Sequence, residues 1–359
     1  MKRARSVLLR SVLRRALLGS FATAMATLVA PQTSRADDPD PHFEDVQSSL
    51  AAWDLPQAKR DAGAIAAGPQ RDVANGVIAV YEGRYDEAES LLAGALASKS
   101  LPAGGPSEEA KHYLALARGS TKAMADAVTL RSDDGTVEAV FASEKDALIA
   151  PYLFDAMKSA REELGFDLGV RPAEAVRFEF LDDPLKLAMV TPLTVENIKT
   201  TGTVGVTKYR RIMMISPRIM LYGYGWLDTA VHEYVHYLVT LRTRNNAPVW
   251  LQEGLAKLLE TRWRRADPEP LEGPIAYRLS RAIERDELVT LEEMYPSVAM
   301  LPSQELAALA YAEVQTMLML LRERRGAPGV ELLLDRVAAG DDAKDALATA
   351  WGDDFDAFM

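Results

Sequence analysis

From about Phe43 to Ala125 the apolar positions are mostly alanine and leucine at helical spacing, broken at Gly68-Pro69, Pro102 and Gly104-Gly105-Pro106. A set of short helices is predicted there. The pattern changes near Val128. Val128 to Leu130 and Val137 to Phe141 are short β-prone runs joined across Asp133-Asp134-Gly135, a hairpin turn signal. A helix is expected from about Ala147 to Leu164, a strand from Val176 to Leu181, and two more β-prone runs at Thr203 to Val206 and Arg211 to Ile215, where Pro217 stops the last. From Leu227 onward the spacing is helical, with breaks near Asn245 to Pro248, Asp267 to Gly273, Pro296, Pro302 and Gly326 to Gly329. A small sheet followed by helices is an α+β arrangement. The expected organisation is an all-α domain over residues 37–125 and an α+β domain over 126–359.

The first 36 residues read differently. Lys2, Arg3, Arg5, Arg10, Arg14 and Arg15 precede an uncharged stretch from Ala16 to Ala30, and Ser34-Arg35-Ala36 offers small residues for cleavage. This is the pattern of a secretory signal peptide, cut after Ala36, so the protein is expected to be exported to a periplasm or secreted. Removing that segment takes away seven basic residues and no acidic one, leaving 34 basic against 52 acidic residues, a net charge of −18. So acidic a chain repels phosphate backbones and anionic lipid, which argues against nucleic-acid binding and stable membrane insertion. With no cysteine, any metal must be held by histidine and carboxylate.

Within the helical region, Gly83-Arg-Tyr85-Asp-Glu-Ala88 followed by Leu91, Leu92 and Ala95 resembles the second half of a tetratricopeptide repeat. The resemblance implies paired helices with an aromatic and leucines filling the groove between them, and a surface for a protein partner. A plain helical hairpin domain fits the same residues.

The chemistry gathers at Val231-His-Glu-Tyr-Val-His-Tyr-Leu-Val239, an HExxH sequence inside an apolar helical pattern. Residues four apart on a helix lie one turn apart on one face, so His232 and His236 can both aim a ring nitrogen at one ion. Glu233 sits about 100° round the helix from His232, placed to take a proton from water activated by that ion. A catalytic zinc takes three protein ligands and keeps its fourth position open. No third histidine follows at a useful distance, but Trp250-Leu-Gln-Glu253-Gly-Leu-Ala256 does. The break at Asn245 to Ala247 lets this second helix fold back on the first, and Gly254 and Ala256 permit a close helix contact. Glu253 can then supply the third ligand to a single zinc ion.

HExxH followed, after sixteen intervening residues, by the glutamate of WLQEGLA resembles the gluzincin metallopeptidases of the peptidase MA superfamily, whose aminopeptidase branch commonly reads WLNEGFA here. The resemblance covers roughly residues 126–359, and its specific part is the HExxH and glutamate set. It implies a thermolysin-like zincin fold, peptide or protein substrates, and Glu233 as general base. It also implies an edge strand near Thr200 to Ile215 that pairs with extended substrate. Glu260, seven residues beyond Glu253, occurs in that pattern too, as a partner of the ligands or as a surface charge beside Lys257. Tyr311, in Leu309-Ala-Tyr311-Ala-Glu-Val-Gln315, falls where the family carries a tyrosine that donates to the tetrahedral intermediate. The substrate-amine motif GxMEN of the aminopeptidases is not recognisable, since Val195-Glu196-Asn197 precedes the strand pair, so endopeptidase action is expected. Two other readings stay open on the sequence: an interaction protein whose zinc domain is structural or inactive, and a zinc amidase acting on non-peptide amides. His42 and His112 are expected at the surface or in packing, and Tyr222-Gly-Tyr224-Gly-Trp226 as a cleft-lining loop or a simple connection.

Overall fold

Aspartate and proline set where the first helices begin. In the computed structural model, which describes residues 39–352, the Asp40 side chain caps α1 (Pro41–Ala51) and the Asp54 side chain caps α2 (Leu55–Ala64), each with proline in the first turn. The first helix therefore starts at Pro41, slightly earlier than the apolar spacing alone suggests. Three more helices follow: α3 (Pro69–Tyr81), α4 (Tyr85–Ala97) and α5 (Gly105–Ala123). Val73, Val77, Ala88, Leu92, Ala110 and Ala117 share the core of this helical half. The expected signal peptide, residues 1–36, lies outside the described residues.

The sheet is assembled next. Strands β1 (Val128–Arg131) and β2 (Val137–Phe141) form the predicted hairpin, and α6 (Ala150–Asp167) follows. Then come β3 (Val176–Leu181), the short helices α7 (Pro184–Val190) and α8 (Val195–Thr201), and strands β4 (Gly205–Lys208) and β5 (Arg211–Ile215). The strand order is β1-β2-β3-β5-β4, with β2, β3 and β5 parallel and the two outer strands antiparallel to their neighbours. The two short helices have too few residues to show a helical period, which is why they are not legible in the spacing. The β4 run lies two residues later than expected, because Gly202 and Thr203 are spent on the helix end.

Side-chain alternation gives the sheet two different faces. Phe178, Phe180, Ile212 and Met214 point into the large core that holds α6 and α9 (Trp226–Thr243), the helix carrying HExxH. Leu181, Met213 and Ile215 face Leu187, Val190 and Ile198 of the short helices instead. On that second face Glu179 and Arg211 are fully buried, and Tyr85 from the helical half reaches both with its hydroxyl. The aromatic expected to fill the groove between paired helices therefore inserts toward the sheet. Trp53, at the turn after α1, stacks edge-on against Tyr237 of α9 at 5.3 Å. The helical half thus contacts both the sheet and the HExxH helix.

The rest is helical: α10 (Val249–Leu259), α11 (Gly273–Arg285), α12 (Gln304–Ala338) and α13 (Ala343–Trp351). Gly326 interrupts α12 with a left-handed φ of 67°, at the break that Gly326 and Pro328 predict. The described residues thus form a mixed α+β protein with one five-stranded sheet. Among them no helix is long and apolar enough to cross a membrane.

Candidate metal centre

Two helices and one edge strand build the site. α9 presents His232 and His236 one turn apart, and α10 turns back to bring Glu253 against them. The close approach at α10 rests on Gly254: a Cβ there would come within 2.7 Å of Leu318 Cδ1 and 2.9 Å of the Val314 carbonyl oxygen on α12. No larger residue fits, so α10, which carries Glu253, lies tight against α12.

The three predicted ligand residues converge. His232 Nε2 and His236 Nε2 lie 3.1 Å apart, and Glu253 Oε2 lies 3.5 Å from the first and 3.6 Å from the second. A tetrahedral ion with bonds of about 2.0–2.1 Å separates its ligand atoms by about 3.4 Å, so the triangle has the size that zinc requires. The protonation pattern agrees. His232 Nδ1 is 2.9 Å from Glu260 Oε2 and His236 Nδ1 is 3.2 Å from Gln252 Oε1. Both partners are acceptors, which places the ring protons on Nδ1 and leaves both Nε2 lone pairs facing the centre. Glu253 Oε2 is buried and has no hydrogen-bond donor. Three acceptors pointing at one another repel unless a cation lies between them. The donor set therefore fits a zinc ion: two imidazoles and one carboxylate, with each imidazole oriented from behind.

The surrounding charges favour a cation at this point, which is a proton on His232 Nε2 unless a metal displaces it. Burial opposes a charged His232, but the carboxylates of Glu253 and Glu260 outweigh it and raise the ring to about 9. Burial likewise works against an ionised Glu253, yet His236 and His232 hold it far below the usual carboxylate range. Glu260 is also held below its ordinary value, against burial, by His232 and Lys257. The centre is a pocket of negative potential that favours a positive charge.

Glu233 is buried beside this triad and adds its charge to the field at His232. Its carboxylate is fixed by β4. Thr207 Oγ1 lies 2.7 Å from Glu233 Oε2 and 2.8 Å from the Glu233 carbonyl. Two residues earlier on the same strand face, a Cβ on Gly205 would stand 2.8 Å from Glu233 Oε1, so glycine there makes room for the carboxylate. Tyr311 is half-buried on α12, with Lys257 Nζ 5.7 Å from its ring centre. Burial, and then the charges of Glu253, Glu233 and Glu260, raise its hydroxyl well above the ordinary tyrosine value. The structure thus brings His232, Glu233, His236, Glu253 and Tyr311 to one neighbourhood.

Three supporting residues were not legible in the sequence to the same degree. Gln252 is outside the ligand set, yet its amide joins His236 to Thr240, 3.2 Å away. The signal was present, since glutamine keeps the side-chain carbonyl of the asparagine that the resembling WLNEGFA pattern carries at that position. Glu260 resolves as the partner of His232. Thr207 carries no sequence signal, because its role depends on which face of β4 meets α9. His42 is exposed beside Asp45 and His112 packs against Tyr113, both away from the centre. In the loop before α9, Leu221 and Tyr222 are exposed while the Tyr224 hydroxyl donates to the Ile215 carbonyl at 2.5 Å. No protein-family model, curated protein or solved structure matches the chain.

Proposed function

We propose that the protein is an exported zinc metallopeptidase with a thermolysin-like, gluzincin-type catalytic domain, acting as an endopeptidase on peptide or protein substrates. The observation that carries this reading is the coincidence of three converging ligand residues with a further glutamate, Glu233, that is not one of them. A purely structural site needs His232, His236 and Glu253 but has no use for Glu233, buried against it and held by a dedicated threonine. The helical half is read as a domain over residues 37–125 whose outer surface can take a protein partner.

In this reading a zinc ion supplies Lewis acidity to water and to the scissile carbonyl. The chain's residues do the rest. Glu260 and Gln252 hold the two imidazoles in the Nδ1-protonated form, so their Nε2 atoms remain available as ligands. Glu233 accepts the proton of the attacking water and can hand it to the leaving amine. Thr207 fixes the carboxylate orientation for both transfers, and Gly205 leaves it the space. The Tyr311 hydroxyl, kept protonated by its surroundings, donates to the substrate oxygen as negative charge grows there. The free edge of β4, paired only with β5 among the described strands, is open to an extended peptide.

The test replaces only the proton acceptor. Glu233→Gln keeps size and hydrogen-bonding capacity, so zinc content should be unchanged while cleavage of a mixed peptide library falls by about 100-fold or more. Equal cleavage by both proteins would remove the mechanism. Faster cleavage of free than of acetylated peptides would change the assignment from endopeptidase to aminopeptidase.

A further inference from the structure

A cavity of about 570 Å³ lies between α8 and the start of α12, and it reaches the candidate metal centre's neighbourhood through Tyr311. Two elements tie it to the reacting groups. Tyr311 forms part of its wall, and Thr201 on the opposite side precedes by four residues the Gly205 that rests on Glu233. Its lining is uncharged throughout: hydroxyls and amides from residues such as Asn197, Thr200 and Ser303, with apolar surface from Met300, Leu301 and Ala308. Several of those polar groups are already committed. Thr201 Oγ1 lies 2.7 Å from the Asn197 carbonyl, Thr200 Oγ1 lies 2.8 Å from the Glu196 carbonyl, and the Asn197 amide oxygen caps its own helix at Thr194. No charged residue lines the cavity, and Lys257, behind the Tyr311 ring, is already paired with Glu260.

We propose that this cavity is the side-chain pocket of the metal centre and that it selects an uncharged, medium-to-large side chain flanking the scissile bond. This inference rests on the zinc-hydrolase reading and adds its substrate class. A charged group loses hydration on entry and gains no ionic partner. The centre offers none either, because a divalent ion balances Glu233 and Glu253, while Glu260 is engaged by Lys257 at 3.1 Å. Leucine, methionine or glutamine, by contrast, gives up no charge hydration and finds the apolar surface of Met300, Leu301 and Ala308. Ala308 sets the width. It stands three residues before Tyr311, on the same side of α12, and a larger residue there would narrow the pocket.

Binding of short peptide hydroxamates to the zinc-loaded protein tests this without turnover. Two series would carry the variable side chain on one or the other side of the zinc-binding group, with alanine, leucine, glutamine, glutamate or lysine at that place, and titration calorimetry would give each affinity. In one series leucine and glutamine should bind about 10- to 100-fold tighter than glutamate and lysine. Ala308→Asp should raise the lysine member relative to leucine by about tenfold or more, and Ala308→Leu should shift preference toward alanine, each with zinc content unchanged. Equal affinities in both series, no measurable binding, or an unchanged order in both variants would overturn the pocket. Selective binding without cleavage of any peptide would instead leave the pocket and remove the hydrolase reading.

Discussion

Two buried polar clusters lie on opposite faces of the same sheet, and they are built on opposite principles. On one face Glu179 is completely buried between Arg177, whose Nε is 2.8 Å away, and Arg211, with the Tyr85 hydroxyl donating as well. Burial disfavours its charge, but Arg211 and Arg177 outweigh that and hold it low. The cations come from the chain itself, and the surplus is a donor: Arg211 Nε is left without a partner. On the other face His232, His236 and Glu253 offer acceptors alone, and the surplus is an acceptor, Glu253 Oε2. A cluster that contains its own countercharge explains itself as structure. One that gathers lone pairs around a point calls for something the chain does not supply.

If the contrast holds, removing a member of each cluster has opposite consequences. His232→Ala or His236→Ala should lose zinc retention entirely, and Glu253→Ala should weaken it, while the fold persists; elemental analysis after dialysis reads this directly. Glu179→Ala should keep its zinc yet lower stability by about 3–5 kcal/mol in denaturant unfolding, because the buried Arg211 loses its carboxylate and the half-buried Arg177 keeps only Glu138. Zinc loss in the Glu179 variant, or intact zinc in the histidine variants, would break the comparison.

A smaller effect concerns Tyr311, which stands at the rim of the acceptor cluster. Tyr311→Phe should fold, keep its zinc and lose about 10- to 1000-fold in catalytic rate with little change in substrate binding. An unchanged rate would return the residue to packing. Smaller again, Glu260→Gln removes the charge behind His232 and keeps an acceptor, so zinc affinity should fall by about tenfold in competition with a chelator. No change would make Glu260 a surface charge after all.

The smallest effect comes from Glu313, a buried carboxylate that belongs to neither cluster. Burial raises it to about 7 from 4.5, with partial relief from the Val289 amide at 3.0 Å. A group whose pKa rises on folding favours the fold below its unfolded value and loses that contribution as pH climbs through the folded one. Glu313→Gln keeps the acceptor and cannot ionise. Its melting temperature should match the wild type near pH 4 and exceed it by a few degrees at pH 8. A gain independent of pH would contradict the assignment.

The sequence made some of this legible and hid the rest for definite reasons. HExxH and the glutamate of WLQEGLA could be read as a convergent set because helical geometry fixes the first pair and the break at Asn245 to Ala247 folds the second helix back, whereas the close approach at Gly254 proves to be with α12. The long helix α6 was readable from its period, and β1, β2 and β3 from short β-prone runs bounded by turn residues. What could not be read depends on packing between elements distant in the chain: Tyr85 turning to Glu179, Thr207 reaching Glu233, and the cavity that α8 makes with the start of α12. None of these has a local signature, since each is set by which face of the sheet a residue occupies.

The central claim is that the acceptor cluster holds one zinc ion beside Glu233. Anomalous diffraction from a crystal, recorded on both sides of the zinc absorption edge, addresses it most directly. A single peak is expected within bonding distance, about 2.0–2.2 Å, of His232 Nε2, His236 Nε2 and Glu253. No peak there, in protein supplied with zinc, or a peak at another cluster, would contradict it.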